Sequence, residues 1–380
     1  MTHRTAGGMR VRVEAMPALA AGYDVIVRHG AMAELAARVA AAAPAAAYAV
    51  ITPHALHDTL GSRALTSLRA ADLRAELLAF DDRETHKTRE TWASLTDRMI
   101  ALKFGRDACV IAVGGGVTGD VAGFVAATYM RGIPFVQVPT TLLAMIDASV
   151  GGKTGVDTPA GKNLVGSFHS PALVIVDPVA LRSLPELQLR AGLAEAVKHG
   201  AILDAAYFGW IGAHADALLA LDAPALEQLI AHSIEIKAQV VSADPLESGR
   251  RAILNFGHTV AHALERCAGY AMPHGCAVSV GMCVEAQLGE SMGVSRPGSA
   301  DACATLLSRL GLPVRAQFAA DALLDAMSID KKARGSKPRF VLLRDIGECA
   351  PALHDVWTHE VPSDTLLHVL RRSTVASDLV

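Results

Sequence analysis

At 380 residues the chain exceeds what a single ordinary core accommodates, so two domains are expected. A net charge of −3, with 35 Lys and Arg against 38 Asp and Glu and no basic stripe, argues against a nucleic-acid-binding protein. Apolar residues reach 51%, with alanine the largest share, but charged residues, histidine or proline interrupt every run before the roughly 18 residues that a spanning helix needs, so no membrane segment is expected.

In chain order, residues 1–8 are expected to fray, and 11–14 and 23–27 to form strands of a hairpin or a sheet edge. Then come a helix over 31–43, a buried strand over 48–52, a helix over 56–69 and a strand over 75–80. The polar stretch Asp81 to Lys87 leads into a helix over 88–102. An apolar strand, 109–113, stops at Gly114, Gly115 and Gly116 and is followed by Gly119 and a helix over 120–130. Strands over 135–138 and 172–177 follow, and the remainder reads mostly as helix: 189–202, 223–243 and 277–310, with a break at Pro297. Asp330, Lys331 and Lys332 read as a charged loop, and 339–343 as a return strand. This alternation predicts a parallel, doubly wound sheet in the first half, with the boundary near residue 185.

Four stretches carry chemistry. Gly114, Gly116 and Gly119 fit Gly-x-Gly-x-x-Gly at a strand-to-helix turn. There backbone N–H groups and the helix dipole can meet a phosphate, and glycine permits positive φ and close approach. An ordinary turn of an α/β protein carries the same pattern. Asp147, Lys153, Lys162 and Asn163 lie among glycines, which suits an anion as well as it suits a solvated loop. Glu195 and Lys198 share a helix face, as an ordinary ion pair also would. His258 and His262 are four apart and can meet one metal or one anion, with His274 close behind. Glutamate plus histidines with positions left open is the ligand set of a catalytic rather than structural zinc. Six cysteines (Cys109, Cys267, Cys276, Cys283, Cys303 and Cys349) without Cys-x-x-Cys read as reduced thiols of a cytoplasmic enzyme. The start of the chain lacks a secretory pattern.

These segments resemble the 3-dehydroquinate synthases, among the sugar phosphate cyclases, over about 23–343. The residues that carry the resemblance are Gly-Gly-Gly-Val-Thr-Gly-Asp (114–120), Arg131-Gly, Val-Pro-Thr-Thr-Leu-Leu (138–143), Asp147 with Gly-Gly-Lys-Thr (151–154), Gly-Lys-Asn (161–163), Gly-Leu-Ala-Glu-Ala-Val-Lys (192–198), Asn255 with Gly-His-Thr (257–259), and His274-Gly. The resemblance implies a Rossmann-like α/β NAD-binding domain (1–185), an all-α metal- and substrate-binding domain (186–380), and a homodimer. It assigns the zinc or cobalt ligands to Glu195, His258 and His274, and so moves His262 from the metal to the substrate phosphate. Lys153, Asn163, Lys331 or Lys332, and Arg131 of a second subunit would join His262 there. Lys237, Arg251 and Asn255 would hold the carboxylate and hydroxyls, with Asp147 and Lys198 between substrate and nicotinamide. The NAD contacts would be Glu84, Lys87, Gly116, Val117, Thr118, Gly119, Asp120, Thr140, Thr141, Lys153, Lys162 and Ser183.

The activity so implied converts 3-deoxy-D-arabino-heptulosonate 7-phosphate to 3-dehydroquinate and phosphate. It proceeds by transient oxidation with NAD, elimination in which the leaving phosphate takes the proton, re-reduction, ring opening and aldol closure. Sister cyclases of secondary metabolism, a weakly active NAD-binding paralogue and a polyol dehydrogenase are the competing readings. The last would release NADH. Asp120, Gly151-Gly152-Lys153 and Asn255 lean towards the primary reading, and the full metal set argues against the paralogue. The chain departs from the family pattern at three places. Cys276 stands where glutamate is usual, so the metal histidine is expected to lack a supporting carboxylate or Cys276 to serve as packing. Ala261 replaces a glycine, and Pro245-Leu246 interrupts an acidic run.

Overall fold

The computed structural model describes residues 2–5, 8–11, 22–244, 247, 249–334 and 338–374, the first two segments and 328–334 as backbone only. Strands β1 (Thr2–Thr5) and β2 (Gly8–Val11) pair antiparallel, so the described residues of the stretch expected to fray are strand instead, and residues 1, 6 and 7 lie outside the described residues. Residues 12–14 of the expected opening strand lie outside the described residues.

Six strands form one parallel sheet: β3 (Asp24–Val27), β4 (Ala47–Pro53), β5 (Ala75–Phe80), β6 (Ala108–Gly114), β7 (Phe135–Pro139) and β10 (Leu173–Val176). Their order is β3-β10-β7-β6-β4-β5, and all neighbours run parallel. The four inner strands are buried along their whole length, while the edge strands β3 and β5 are only partly covered. That explains the unbroken β-branched runs in the sequence, because a sheet covered on both faces has no polar side to show. Ile111 and Val113 enter one apolar cluster, whereas Val110 and Ala112 enter the other with helices α3 (Arg89–Ala101) and α4 (Gly116–Thr128). On the first face lie α1 (Leu35–Ala42) and α2 (Ser62–Ala70), in the same cluster as the helical half of the chain.

From β4 the chain moves outward to β5, and after β6 it moves the other way to β7 and β10. The order therefore reverses between β4 and β6, and the carboxyl ends of these strands flank the crevice where doubly wound sheets take ligands. Gly114 pairs with Pro139 at that edge, and the Thr140 amide donates to the Gly114 carbonyl at 2.9 Å. The glycine turn and Thr140-Thr141 are thus neighbours.

Between β7 and β10 the composition points to a polar loop, but the chain builds an antiparallel hairpin, β8 (Lys153–Thr158) with β9 (Gly161–Phe168). Its strands are glycine-rich because backbone approaches closely: a β-carbon on Gly166 would lie 2.2 Å from the Thr154 carbonyl oxygen. Glycine in strands reads as loop by composition, which is why the pattern conceals the hairpin.

After Pro185 helices dominate: α5 (Glu186–Leu203), α6 (Ala205–Ala213), α7 (Ala215–Leu219), α8 (Ala223–Ala243), α9 (His258–Cys267), α10 (His274–Ser291), α11 (Ser299–Arg309), α12 (Ala320–Arg334) and α13 (Ser363–Ser373). The expected all-α half also carries four short strands, β11 (Arg339–Phe340), β12 (Leu342–Asp345), β13 (Glu348–Ala350) and β14 (His359–Glu360). Asp330, Lys331 and Lys332 continue α12 rather than forming a loop. No helix among the described residues is long and apolar enough to cross a membrane.

α10 is buried nearly all round and is the axis of this half. A β-carbon on Gly275 would fall 1.9 Å from the Ala191 carbonyl oxygen of α5, and one on Gly281 would fall 1.9 Å from the Gly257 carbonyl oxygen before α9. Both obstacles are backbone, so neither can rotate away. Gly275→Ala is therefore expected to destabilise the protein by at least the ~1–3 kcal/mol typical of overpacking, read as a lower thermal midpoint. An unchanged midpoint would show that α5 and α10 can move apart freely.

Candidate active site

Glu195 sits in the middle of α5, which runs fully buried from Ala191 to Ile202. Its carboxylate has no exposed surface. His258 opens α9, and His274 opens α10 directly after Pro273. The three groups converge, with one ligand atom from each lying within 4.8 Å of the other two. Glu195 Oε1 lies 3.7 Å from His258 Nε2 and 3.4 Å from His274 Nε2.

The far side of each ring is occupied. His258 Nδ1 lies 3.2 Å from the Phe256 carbonyl, which accepts its proton. His274 Nδ1 lies 3.2 Å from Glu265 Oε1. A proton held on Nδ1 makes Nε2, which faces Glu195, the atom that can ligate once deprotonated, which is how ligand histidines are oriented. Both histidines are partly exposed, so the cluster opens to solvent on one side.

Burial alone raises the Glu195 carboxyl, but Lys198, then His274 and His258, outweigh it and hold the group well below the usual range. Lys198 Nζ closes an ion pair on the other carboxylate oxygen, and both side chains are buried. The surface-pair reading of these two residues therefore fails, because the face they share points inward. Lys237 pairs with Asp147 and also donates to its backbone carbonyl. Burial opposes the charge on Asp147, while Lys237 and Lys198 keep it ionised. Burial and then Lys198 push His258 down to about 3, so its ring is neutral. Burial also lowers His274, but hydrogen bonds to Glu195 and Glu265 outweigh it and lift it to about 10.

The His262 ring stands edge-on to that of His258, with centroids 5.6 Å apart, one turn along α9. Arg251 is buried, its Nε 3.2 Å from Glu247 Oε1, and Glu247 also pairs with the exposed Lys153. Asn255 is exposed at the end of the turn Arg250–Asn255. Lys87 is buried between Asp120 Oδ2 at 2.6 Å and Asn163 Oδ1 at 2.5 Å, so Asn163 meets a lysine of the glycine-turn side. Lys162 Nζ lies 2.9 Å from Glu84 and 3.8 Å from Glu265. Thr141 Oγ1 accepts from the Ala144 amide at 3.2 Å, and the Ser183 hydroxyl donates to the Ala180 carbonyl at 3.2 Å. Arg131 is exposed with φ 70°. The side chains of Lys331 and Lys332, and Pro245-Leu246, lie outside the described residues.

Gly116, Val117, Thr118, Gly119 and Asp120 form the first turns of α4, which starts four residues earlier than the sequence indicates. None of these glycines has positive φ; Gly151 (108°) and Gly152 (65°) do. Glycine is needed at the turn for room: a β-carbon on Gly114 would lie 2.4 Å from Thr118 Oγ1, and one on Gly119 would lie 2.9 Å from Gln137 Oε1. Two acids escape the sequence reading. Glu265 shares a face of α9 with His258, seven residues away, so helical spacing could have found it. Glu285, on α10, accepts from the Gly257 amide at 2.8 Å and the Thr259 amide at 3.2 Å, capping the start of α9 from another helix. Burial against those donors pushes it up to about 8. No local pattern marks such a contact.

The sequence of residues 77–191 matches the family model for the 3-dehydroquinate synthase N-terminal region, and 192–333 matches the model for its C-terminal region. The chain belongs to the 3-dehydroquinate synthase family. It is 48% identical over 300 residues to the 3-dehydroquinate synthase of Xanthomonas axonopodis pv. citri, an alignment spanning 77% of this chain and 81% of that one. Among solved structures it is similar to a 2-deoxy-scyllo-inosose synthase complexed with carbaglucose-6-phosphate, NAD⁺ and Co²⁺, with TM-score 0.85 and 27% identity over 92% of this chain and 97% of that one. It is also similar to a 2-epi-5-epi-valiolone synthase of Streptomyces hygroscopicus subsp. jinggangensis with NAD⁺ and Zn²⁺ bound, with TM-score 0.83 and 28% identity over 95% and 98%. The family's glutamate after His274-Gly275 is Cys276 here, and it is buried. A carboxylate still stands beside His274, that of Glu265, and the burial of Cys276 fits the packing alternative.

Proposed function

We propose that the chain converts 3-deoxy-D-arabino-heptulosonate 7-phosphate to 3-dehydroquinate and phosphate, a carbon–oxygen lyase step towards aromatic amino acids. The observation that carries this is the convergence of Glu195, His258 and His274 inside a family whose curated members bear that name. Identity of 46–48% to such members, against 27–28% to the sister cyclases, favours this substrate over theirs.

A divalent cation fits the triad. Glu195 Oε1 is buried, two imidazole Nε2 atoms face it at 3.4 and 3.7 Å, and both Nδ1 positions are already engaged. One carboxylate and two imidazoles suit zinc or cobalt. The cation supplies Lewis-acid chemistry towards a substrate alcohol, and NAD supplies a reversible hydride acceptor. The chain's own groups bind and orient. Lys198 and Lys237 set two buried ammonium groups beside Asp147, giving donors for developing oxyanions next to the metal ligands. Lys153, Arg251, Asn255 and His262 bind the anionic ends of the sugar phosphate, with Asn163, Lys331 and Lys332 completing the phosphate side. The glycine turn at 114–120, Thr140, Thr141, Glu84, Lys87, Lys162 and Ser183 hold the dinucleotide at the switch point of the sheet. Elimination needs no dedicated carboxylate base when the leaving phosphate takes the proton.

The division near residue 185 into a dinucleotide-binding part and a helical metal-binding part belongs to this reading, and the two family models meet at 191 and 192. So does a homodimer: Leu164 and Phe168, four apart, expose apolar side chains on one face of β9, which a second copy would cover while presenting Arg131. Unpaired cysteines fit the reducing cytoplasm.

The test is incubation of metal-loaded protein with the heptulosonate phosphate and NAD⁺ in less than stoichiometric amount, with the product identified by NMR. Dehydroquinate is expected, and unchanged substrate would overturn the reading. A pH dependence follows from His274. In metal-free protein its pKa is lifted to about 10. A cation binds only the deprotonated ring, so binding releases that proton, and affinity should rise about tenfold per pH unit between roughly pH 6 and 9. His258, already neutral, adds no slope. Chelator-competition titration measures this, and a flat profile would contradict it.

A further inference from the structure

Glu265 has no role in the reaction outlined above, yet it is buried and stands at the meeting point of both halves of the chain. Its Oε1 lies 3.2 Å from His274 Nδ1 and 3.8 Å from Lys162 Nζ. Lys162 comes from the β8–β9 hairpin. It also reaches Glu84, 2.9 Å away in the turn after β5, and sits 4.6 Å from the centre of the Tyr270 ring. The Tyr270 amide in turn donates to the Glu265 carbonyl at 2.7 Å, closing the end of α9. One lysine of the hairpin is thus held by groups from the turn after β5, from α9 and from the turn that leads to α10.

A histidine at the first position of a helix keeps freedom about its side-chain torsions unless its second nitrogen is bound. His258 has the Phe256 carbonyl for that purpose, which cannot move relative to its own helix start. His274 depends on a side chain, Glu265, and Lys162 Nζ lies 3.8 Å from the same carboxylate oxygen. We infer that Glu265 is a positioning residue that aims His274 Nε2 at the metal position, and that Lys162 extends this support to the hairpin, linking hairpin placement to metal-ligand geometry. A charged acceptor on Nδ1 fixes the ring and its tautomer, and such partners typically change metal affinity by about 10–100-fold. The inference rests on the metal reading of the triad.

The experiment measures the zinc dissociation constant by chelator competition, without NAD or substrate, in the parent protein and in Glu265→Ala, Glu265→Gln and Lys162→Met. Visible spectra of the cobalt-loaded forms report the ligand field directly. Glu265→Ala is expected to bind zinc about 10–100-fold more weakly and to change the cobalt spectrum. Glu265→Gln keeps an oxygen acceptor and should recover most of the affinity. Lys162→Met removes no ligand and no partner of His274, yet should weaken zinc severalfold. A structural role alone would lower thermal stability and leave the affinity and spectrum at the parent's values. That result in Glu265→Ala, or in Lys162→Met should the alanine variant not fold, overturns the inference. Failure of the parent to bind zinc would instead overturn the metal reading itself.

Discussion

His258→Ala should lose turnover by roughly a thousandfold or more. A metal acting on a reacting oxygen contributes several kcal/mol to the transition state, and each 1.36 kcal/mol is a factor of ten in rate. The substitution removes one of three ligands whose atoms lie within 4.8 Å of one another. It also leaves His274 as the one triad imidazole still facing Glu195, with Lys198 on the other carboxylate oxygen. The His258 ring bonds to its own chain at Phe256, so its loss should do little to the fold. Steady-state rates with saturating zinc and NAD⁺ measure the effect, alongside circular dichroism to confirm the fold. A variant within tenfold of the parent would mean that His258 is not a ligand.

Lys198→Met should destabilise the metal-free protein by about 3–5 kcal/mol, the usual loss when one partner of a buried ion pair is removed. Glu195 and Lys198 side chains are 0% and 1% exposed, so water cannot replace the lost ammonium. Asp147 also draws on Lys198, so two carboxylates lose a counter-charge. A bound divalent cation would restore positive charge at Glu195. The variant should therefore gain more in thermal midpoint from zinc than the parent does, while turnover stays low because the ammonium is gone. Calorimetry with and without zinc separates the two effects. Equal zinc-induced shifts in both proteins would contradict the placement of Lys198 beside the metal position.

Much of the fold is legible in the amino-acid sequence itself. The buried strands and their helices follow from β-branched runs and alanine-rich segments, and Pro297 separates α10 from α11 as the sequence indicates. The triad is legible only through the family motifs. Spacing alone pairs His258 with His262, because i and i+4 share a helix face, whereas His274 reaches the site from the start of another helix. Spacing cannot register a contact made across a turn. The hairpin at Lys153–Phe168 stays hidden because its glycines, required by close strands, look like loop residues. The turn at Gly114–Gly119 is found partly for a reason that does not hold there, since its glycines make room without taking positive φ. Glu285 lies beyond reach because a cap supplied by a distant helix leaves no local trace.

The central claim is that the oxidation is internal to the reaction and closes on itself. The most direct measurement follows phosphate release and NADH absorbance in one cuvette, with the heptulosonate phosphate in large excess over NAD⁺. The expected result is phosphate release that runs far past the amount of NAD⁺ present, with no net NADH and with complete loss on chelation. Phosphate release that stops at one equivalent of NAD⁺, or NADH that accumulates in step with turnover, would show a dehydrogenase rather than a cyclase.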